Sequence, residues 1–238
     1  MVTTDSLKPS PKRRSAPPEQ RVRSMFDGIV EGYDVVNGVL SLGMDRWWRR
    51  RTAASVRAQP NDLILDLGCG TGGLGRRLAE RTRVVGVDVS WEMLAHARRT
   101  PGPRVRLVQA SAFHLPFGRE VFDAAVSGFV LRNLSELEGA FAELVRVVRP
   151  GGRIGLVDIT EPRSPAFRWL FDRYFGTVAP ALGAMVGRRD AYRYLVESLA
   201  QLPPPADVRD LLASAGFHEV RAEPMSGGSV TLFTGRAG

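Results

Sequence analysis

From Leu63 onward, short runs of β-branched and other apolar residues alternate with stretches in which apolar positions recur every three to four residues. The runs LILDL (63–67), RVVGVD (83–88), VRLVQ (105–109), FDAAVS (122–127) and RIGLVDI (153–159) have the length and composition of strands. Helical patterns begin near Gly72, Ser90 and Ser135. The last is the most regular: Leu137, Ala140, Phe141, Leu144, Val145 and Val148 share one face. Ser135 and Glu138 have capping-box spacing, and Pro150-Gly151-Gly152 is expected to end the helix. Strand and helix in alternation imply an α/β domain of parallel strands joined by crossover helices.

The pattern changes towards the end of the chain. A helix with Val208, Leu211, Leu212 and Ala215 on one face follows Pro203-Pro204-Pro205, with Gly216 as its stop. FHEVRAEPM (217–225) and GGSVTLFTG (227–235) then read as an antiparallel hairpin added to the sheet edge. Residues 19–57 predict two or three helices before the first strand, and 162–200 form a long helical insertion. The organisation expected is a disordered tail over 1–20 and a single domain over 21–238, with both helical segments covering the ligand face.

Composition narrows this picture only slightly. A chain of 238 residues, 44% hydrophobic, suffices for one sizeable core. The net charge of +8 lies largely in the Pro/Ser/Arg-rich opening and in RWWRRR (46–51), and Lys8 and Lys12 are the only lysines. Without an RNA-binding motif or basic residues interleaved with aromatics, that charge does not argue for nucleic acid. Cys69 is the only cysteine, which excludes an intramolecular disulfide framework and a multi-Cys zinc site. No apolar stretch follows the basic N-terminus, so a cytoplasmic chain is expected.

The candidate chemistry starts at Ile64-Leu-Asp-Leu-Gly-Cys-Gly-Thr-Gly-Gly, where a strand runs into a glycine-rich turn with a GxGxxG match at Gly68, Gly70 and Gly73. Such a turn lets backbone N–H groups approach a ligand closely. Asp88, 22 residues after Asp66 and at the end of the second strand, has the spacing of a ribose-binding acid. This spacing alone leaves a nicotinamide dinucleotide and S-adenosylmethionine both open. Asp66, just before the glycines, would repel a pyrophosphate; it can order the turn or meet the ammonium of a methionine arm.

DLGCGTG, GVDVS, ASAFHLPF, FDAAVS and VVRPGGR occur in an order and spacing that resemble class I S-adenosylmethionine-dependent methyltransferases. The resemblance implies a Rossmann-like doubly wound sheet, mostly parallel, with a C-terminal antiparallel hairpin. It also implies S-adenosyl-L-methionine as cofactor, with cofactor-binding residues Asp66, Gly68, Gly70, Thr71, Asp88, Val89, Ser111, Ala112 and Gly128. Asp88 would take both ribose hydroxyls, Gly68–Gly72 would pass under the methionine portion, and Val89 or Trp91 would border the adenine. Ser111 and Ala112 would meet the adenine edge. Helix packing is the competing role for Trp91, and space-filling the expected one for Cys69.

Outside those motifs, MFDGIVEGYDVVNGVLSLGMDRWWRR (25–50), LRNL (131–134), AYRYLVESL (191–199) and MSGGSVTLFTG (225–235) resemble the menaquinone/ubiquinone biosynthesis C-methyltransferase family. The similarity runs from about Met25 to Arg236 and implies methylation of a ring carbon of a prenylated quinol, a demethylmenaquinol being preferred over a ubiquinol precursor. Arg132, Asn133 and Tyr33 are the implied catalytic residues: Arg132 as a permanently charged stabiliser of a phenolate, Asn133 to orient the quinol or a water, Tyr33 to relay a proton or stack on the ring. Asp34 is expected to position the first helix rather than touch substrate, and the competing role for Arg132 is an ion pair with an acid such as Asp158. The chain departs from the family's pattern at Gly128, Val130 and Asp158-Ile159, beside the reacting centre, which keeps another phenolic or polyketide-like acceptor open.

His96, His114 and His218 are expected to be non-catalytic, and no His/Asp/Glu grouping has metal-ligand spacing, so a metal-independent enzyme is expected. FGTVAPALGAMVG (175–187) is too short to span a bilayer and suits a cover over a lipophilic acceptor. With DRWWRRR it motivates transient peripheral docking at the inner membrane; packing of Trp47 or Trp48 on the core is the competing explanation. A homodimer, an RNA methyltransferase, a non-catalytic cofactor-binding scaffold and an oxidoreductase are the remaining alternatives.

Overall fold

The computed structural model describes residues 18–100, 104–162, 164–178, 198–199 and 201–238. The expected tail up to residue 17, most of Tyr192–Ser198 and residues 179–187 of the apolar insertion lie outside the described residues. Three helices come first: α1 (Glu19–Ile29), α2 (Tyr33–Leu40) and α3 (Asp45–Ser55). The alternating part follows as β1 (Leu63–Leu67), α4 (Gly73–Leu78), β2 (Arg83–Asp88), α5 (Trp91–Arg99), β3 (Val105–Gln109), β4 (Phe122–Gly128), α6 (Leu137–Val147) and β5 (Val148–Ile159). The chain closes with α7 (Pro165–Arg173), α8 (Pro205–Ala215), β6 (Phe217–Met225) and β7 (Val230–Ala237).

Among the described residues seven strands form one sheet in the order β3-β2-β1-β4-β5-β7-β6. Strands β1 to β5 pair in parallel, and β7 runs antiparallel between β5 and β6. The hairpin therefore joins the sheet through its second strand, and β6 is the outer edge. The order reverses between β1 and β4, so a crevice opens at their carboxyl ends, which is where ligands bind in open α/β sheets.

Period-two alternation along β1 sorts its side chains to the two faces. Leu65 and Leu67 join a cluster with Phe141, Leu144, Val208 and Leu212 from α6 and α8, while Ile64 joins Leu74, Leu78 and Val56 on the other face. Helix α3 lies close on β5 because position 155 is glycine: a Cβ there would stand 2.5 Å from the Ser55 hydroxyl and 3.2 Å from the Thr52 carbonyl.

Two local expectations are corrected. Helix α6 begins at Leu137 with Glu136 at its cap and no side-chain capping bond, so Ser135 and Glu138 form no capping box. Pro150-Gly151-Gly152 does not end the helix; α6 stops at Val147 and the Pro-Gly-Gly bends the start of β5, where pairing with β4 shifts register. A bulge accommodates a proline and a positive-φ glycine inside a strand, and Gly151 has φ 74°.

Candidate active site

The glycine turn is built by backbone conformation. Gly68, Gly70 and Gly72 all have positive φ, at 65°, 52° and 83°. At Gly68 a Cβ would also collide with the Val130 side chain, so both conformation and space require glycine. The turn is tied down from three sides. Gly70 N–H donates to Asp88 Oδ2 at 2.7 Å, Thr71 Oγ1 donates to Asp34 Oδ1 at 2.8 Å, and Arg76 donates to the Thr71 carbonyl at 2.5 Å. Asp34 thereby fastens α2, the second helix and not the first, to the turn.

Asp88 stands at the tip of β2 with both carboxylate oxygens oriented, since its Oδ1 accepts from Ser90 N–H at 2.9 Å. Burial raises its pKa, while the N–H groups of Ser90 and Gly70 hold it down. Together with Gly68, Gly70, Val89, Ala112 and Gly128 it lines a cavity of about 80 Å³ at the carboxyl ends of β1, β2 and β4.

Other expected cofactor residues stand differently. Asp66 is fully buried beneath the turn, where a Cβ on Gly75 would lie 2.9 Å from its Oδ2, an atom without a hydrogen-bond partner. Its burial drives the carboxyl up to about 7, against the nearby Arg49 guanidinium and the Gly75 N–H. The Ser111 hydroxyl is engaged by Glu19 of α1 at 2.5 Å, with Phe113 N–H donating to it. Trp91 is 45% exposed with the Arg98 guanidinium 5.2 Å from its ring, outside the cavity, and Met93 takes the place beside Val89. Cys69 is buried against Gly86, where a Cβ would stand 2.9 Å from its sulfur, consistent with a space-filler. Helix α1, whose Val22 and Phe26 line the cavity and whose Asp27 accepts from Ser90 at 2.6 Å, covers this face.

Asp66 has a consequence for stability. Its folded pKa of about 7 exceeds the ordinary 3.8, so between those values the folded chain holds a proton that the unfolded chain has lost. Its contribution to stability is therefore present below pH ~4 and lost as pH rises through ~7, on the order of 4 kcal/mol when fully ionised. Asp66→Asn is expected to flatten the fall in melting temperature between pH 5 and 8 in the ligand-free chain. An unchanged slope in a pH series of thermal melts would count against this.

A second, larger cavity of about 360 Å³ adjoins the first, and Tyr33 and Phe129 belong to the walls of both. Its other walls are mostly apolar, with Leu40, Trp48, Ile159 and Val230 inside and Leu42, Phe167 and Leu170 towards its mouth. Arg132 lines it and is 7% exposed. The Arg132 guanidinium pairs with Asp158, its backbone N–H donates to the other oxygen of the same carboxylate at 3.0 Å, and its Nε donates to Ser198 at 3.2 Å. The ion pair and the cavity position therefore coexist. Asn133 is buried, lines the smaller cavity and donates to the Phe129 carbonyl at 3.3 Å.

Phe129 escaped the sequence reading. It has φ 66°, an unfavourable region for an aromatic residue, and is held there by its N–H bond to the Val157 carbonyl at 2.7 Å. Its ring packs edge-on to Trp48 at 5.9 Å and lies between Arg49 and Arg132, whose guanidinium carbons are 5.5 and 6.0 Å from its centroid. Trp48 is buried and donates to Ser226 at 3.0 Å, so it packs α3 onto the core, whereas Trp47 is 42% exposed. Among the described residues no three His, Cys, Asp or Glu side chains come together as a metal site, and no helix is long and apolar enough to cross a membrane.

A crevice at the sheet's reversal, a ribose-type carboxylate and an adjoining apolar cavity can be compared with known proteins. Residues 15–237 match the model of the ubiE/COQ5 methyltransferase family. The chain belongs to that family. It is 40% identical over 218 residues to a demethylmenaquinone methyltransferase of Thermus thermophilus, covering 89% of this chain and 99% of the other. It is 36% identical over 224 residues to the ubiquinone/menaquinone biosynthesis C-methyltransferase UbiE of Syntrophotalea carbinolica, covering 92% and 94%. Among solved structures, the [4+2]-cyclase SpnF superposes with a TM-score of 0.70 at 19% identity, covering 94% of this chain and 98% of that one. A phosphoethanolamine N-methyltransferase of Haemonchus contortus in complex with S-adenosyl-L-methionine gives 0.59 at 16%, covering 79% and 52%. These two show the fold alone, and the cyclase illustrates that the fold does not decide the reaction. Family membership identifies this ubiE/COQ5-family chain as an S-adenosylmethionine-dependent methyltransferase.

Proposed function

We propose that this methyltransferase transfers a methyl group to a ring carbon of a prenylated quinol, with demethylmenaquinol the preferred acceptor and a ubiquinol-pathway ring the next. The observation that carries the reading is the apolar 360 Å³ cavity sharing Tyr33 and Phe129 with the cavity under Asp88. A volume of that size suits a small aromatic ring. The mouth of this cavity, with Leu42 and Leu170 exposed, gives a prenyl chain a way out. The names of the relatives point to the same acceptor class.

When bound, S-adenosylmethionine supplies an electrophilic methyl at its sulfonium. Asp88 takes the ribose hydroxyls, Gly68, Gly70 and Thr71 carry the methionine arm, Val89 and Ala112 border the adenine, and Gly128 leaves room beside it. Asp66 orders the turn from below, and Ser111 acts through Glu19. On the acceptor side, loss of the quinol hydroxyl proton pushes charge onto the neighbouring ring carbon. Arg132 stabilises that oxyanion as a donor that stays protonated, while Asp158 and Ser198 fix its direction. Asn133 orients the ring or a water, and Tyr33 packs at the junction and relays the hydroxyl proton to water; the proton on the methylated ring carbon then leaves to water, restoring the aromatic quinol, with S-adenosylhomocysteine as the other product.

Among the described residues, α7 and Tyr174 cover the acceptor cavity and contribute walls to it; the Tyr174 hydroxyl donates to the Leu40 carbonyl at 2.7 Å. The exposed apolar residues Leu42, Met44, Phe167 and Leu170 at its rim, with Trp47 and Trp169 beside them in sequence and Arg46 and Arg50 exposed on α3, suit transient contact with an anionic membrane surface. Salt-sensitive flotation with anionic vesicles is the expected result; absence of binding together with a dimer in sedimentation would assign the rim to a homodimer instead.

The deciding experiment incubates the purified chain with labelled S-adenosylmethionine and a panel of demethylated naphthoquinols and benzoquinols. A ring-methylated naphthoquinol is the expected product. Methyl transfer only to unprenylated phenols would shift the reading to another small-molecule acceptor.

A further inference from the structure

We propose that Arg49 is a cofactor-binding residue that holds the carboxylate of the methionine arm. The proposal rests on the placement of that arm over the glycine turn. Arg49 sits on α3, outside the cofactor motifs, lines the larger cavity and reaches the seam between turn and sheet. Its Nη1 stands 3.5 Å from the position of a Cβ on Gly73 and 3.9 Å from that of a Cβ on Gly128. Those glycines follow the turn and end β4, so the guanidinium reaches the tips of the two strands between which the sheet order reverses.

The two arginines that flank Phe129 are held differently. Arg132 is engaged by a buried carboxylate and by Ser198. Among the described residues Arg49 has only a loose ion pair through its Nε, 3.9 Å from Asp45, although its side chain is just 13% exposed. A cation so sheltered and so weakly paired retains the capacity to bind a carboxylate, and a guanidinium matches that group with parallel N–H donors. The arm is zwitterionic, and the carboxylates tied to the turn, Asp34 and Asp88, favour its ammonium end. A nearby cation is needed for its carboxylate.

The support for Arg49 is rigid. Trp48, the preceding residue, is anchored to Ser226, Thr52 Oγ1 donates to the Trp48 carbonyl at 2.9 Å, and Gly155 lets α3 seat directly on β5. A rigid support fixes the direction of the guanidinium before a ligand arrives. With the carboxylate held from α3 and the ribose held from β2, the sulfur between them is set at the junction formed by Tyr33 and Phe129.

Calorimetry with two ligands tests this. S-adenosylhomocysteine has the amino-acid arm, and 5′-methylthioadenosine has the same nucleoside and sulfur without it. Arg49→Ala is expected to weaken S-adenosylhomocysteine binding about 10- to 100-fold while leaving 5′-methylthioadenosine within about twofold, and Arg49→Lys to lose less than Arg49→Ala. Unchanged 5′-methylthioadenosine binding also shows that the variant is folded. Equal losses for both ligands would make Arg49 a support of the fold and overturn the proposal. No loss for either ligand, with turnover abolished, would assign it to the acceptor and overturn it too. If the native chain binds neither ligand, the cofactor-site reading itself fails and the proposal with it.

Discussion

Asp88→Ala is expected to weaken binding of S-adenosylhomocysteine by about 10²- to 10⁴-fold, the effect of removing two charge-assisted hydrogen bonds to a ribose. The loss has a second source in the protein, because Asp88 also anchors the turn through Gly70 N–H and the start of α5 through Ser90 N–H. This makes the conservative variant informative. In Asp88→Asn one of the two positions that accept from the backbone must become an amide NH₂ facing an N–H, so a donor meets a donor. Asp88→Asn is therefore expected to lose at least about tenfold as well. Isothermal titration of both variants checks this, and an asparagine variant within about threefold of native would show that the carboxylate does not grip the ribose.

Arg132→Ala is expected to lower turnover by about 10²- to 10³-fold, the magnitude found for removal of a donor aimed at a developing oxyanion. Affinity for S-adenosylhomocysteine should stay nearly unchanged, since Arg132 lines the acceptor cavity. The variant also leaves Asp158 fully buried without its cation, an arrangement that destabilises a fold by about 3–5 kcal/mol. The double variant R132A/D158A separates the two effects. It removes the orphaned charge and should recover much of the stability without recovering turnover. Return of activity in the double variant would make Arg132 a purely structural ion-pair partner. Equal losses of cofactor affinity and turnover in the single variant would take it out of the acceptor site.

The same residues mark how far the chain could be read without its structure. The strands and the helix faces were legible because the signal is local: Phe141 and Leu144 are buried at helical spacing, and β1 alternates between two cores. Asp88 and the glycines were legible for a related reason, as their chemistry depends on a strand end and a turn within 25 residues of each other. The boundaries of α6 were not. A capping box and a Pro-Gly-Gly stop are weak local preferences; the helix starts after Glu136 without the box, and the pairing of β5 with β4 takes up the Pro-Gly-Gly.

Directions of side chains were less legible still. Ser111 sits in the expected place, yet its hydroxyl turns to Glu19, 92 residues away in sequence. Asp66 precedes the glycines as expected but points beneath them towards Gly75. Trp48 and Trp47 are neighbours with opposite fates, one packed on Phe129 and the other exposed, because a helix turns adjacent residues to different sides.

What the sequence determined by itself is the order of strands and helices, the glycine turn, the acid at 88 and the family to which they belong. These follow from periodicity and short-range spacing. The tertiary structure alone decided that Arg49, Phe129 and Arg132 meet, that Arg132 pairs with Asp158 and lines a cavity at once, and that two cavities share a wall. Those facts arise from contacts between segments far apart in the chain, set by how α3 and β5 pack, and no periodicity along a chain encodes which distant residue will stand opposite.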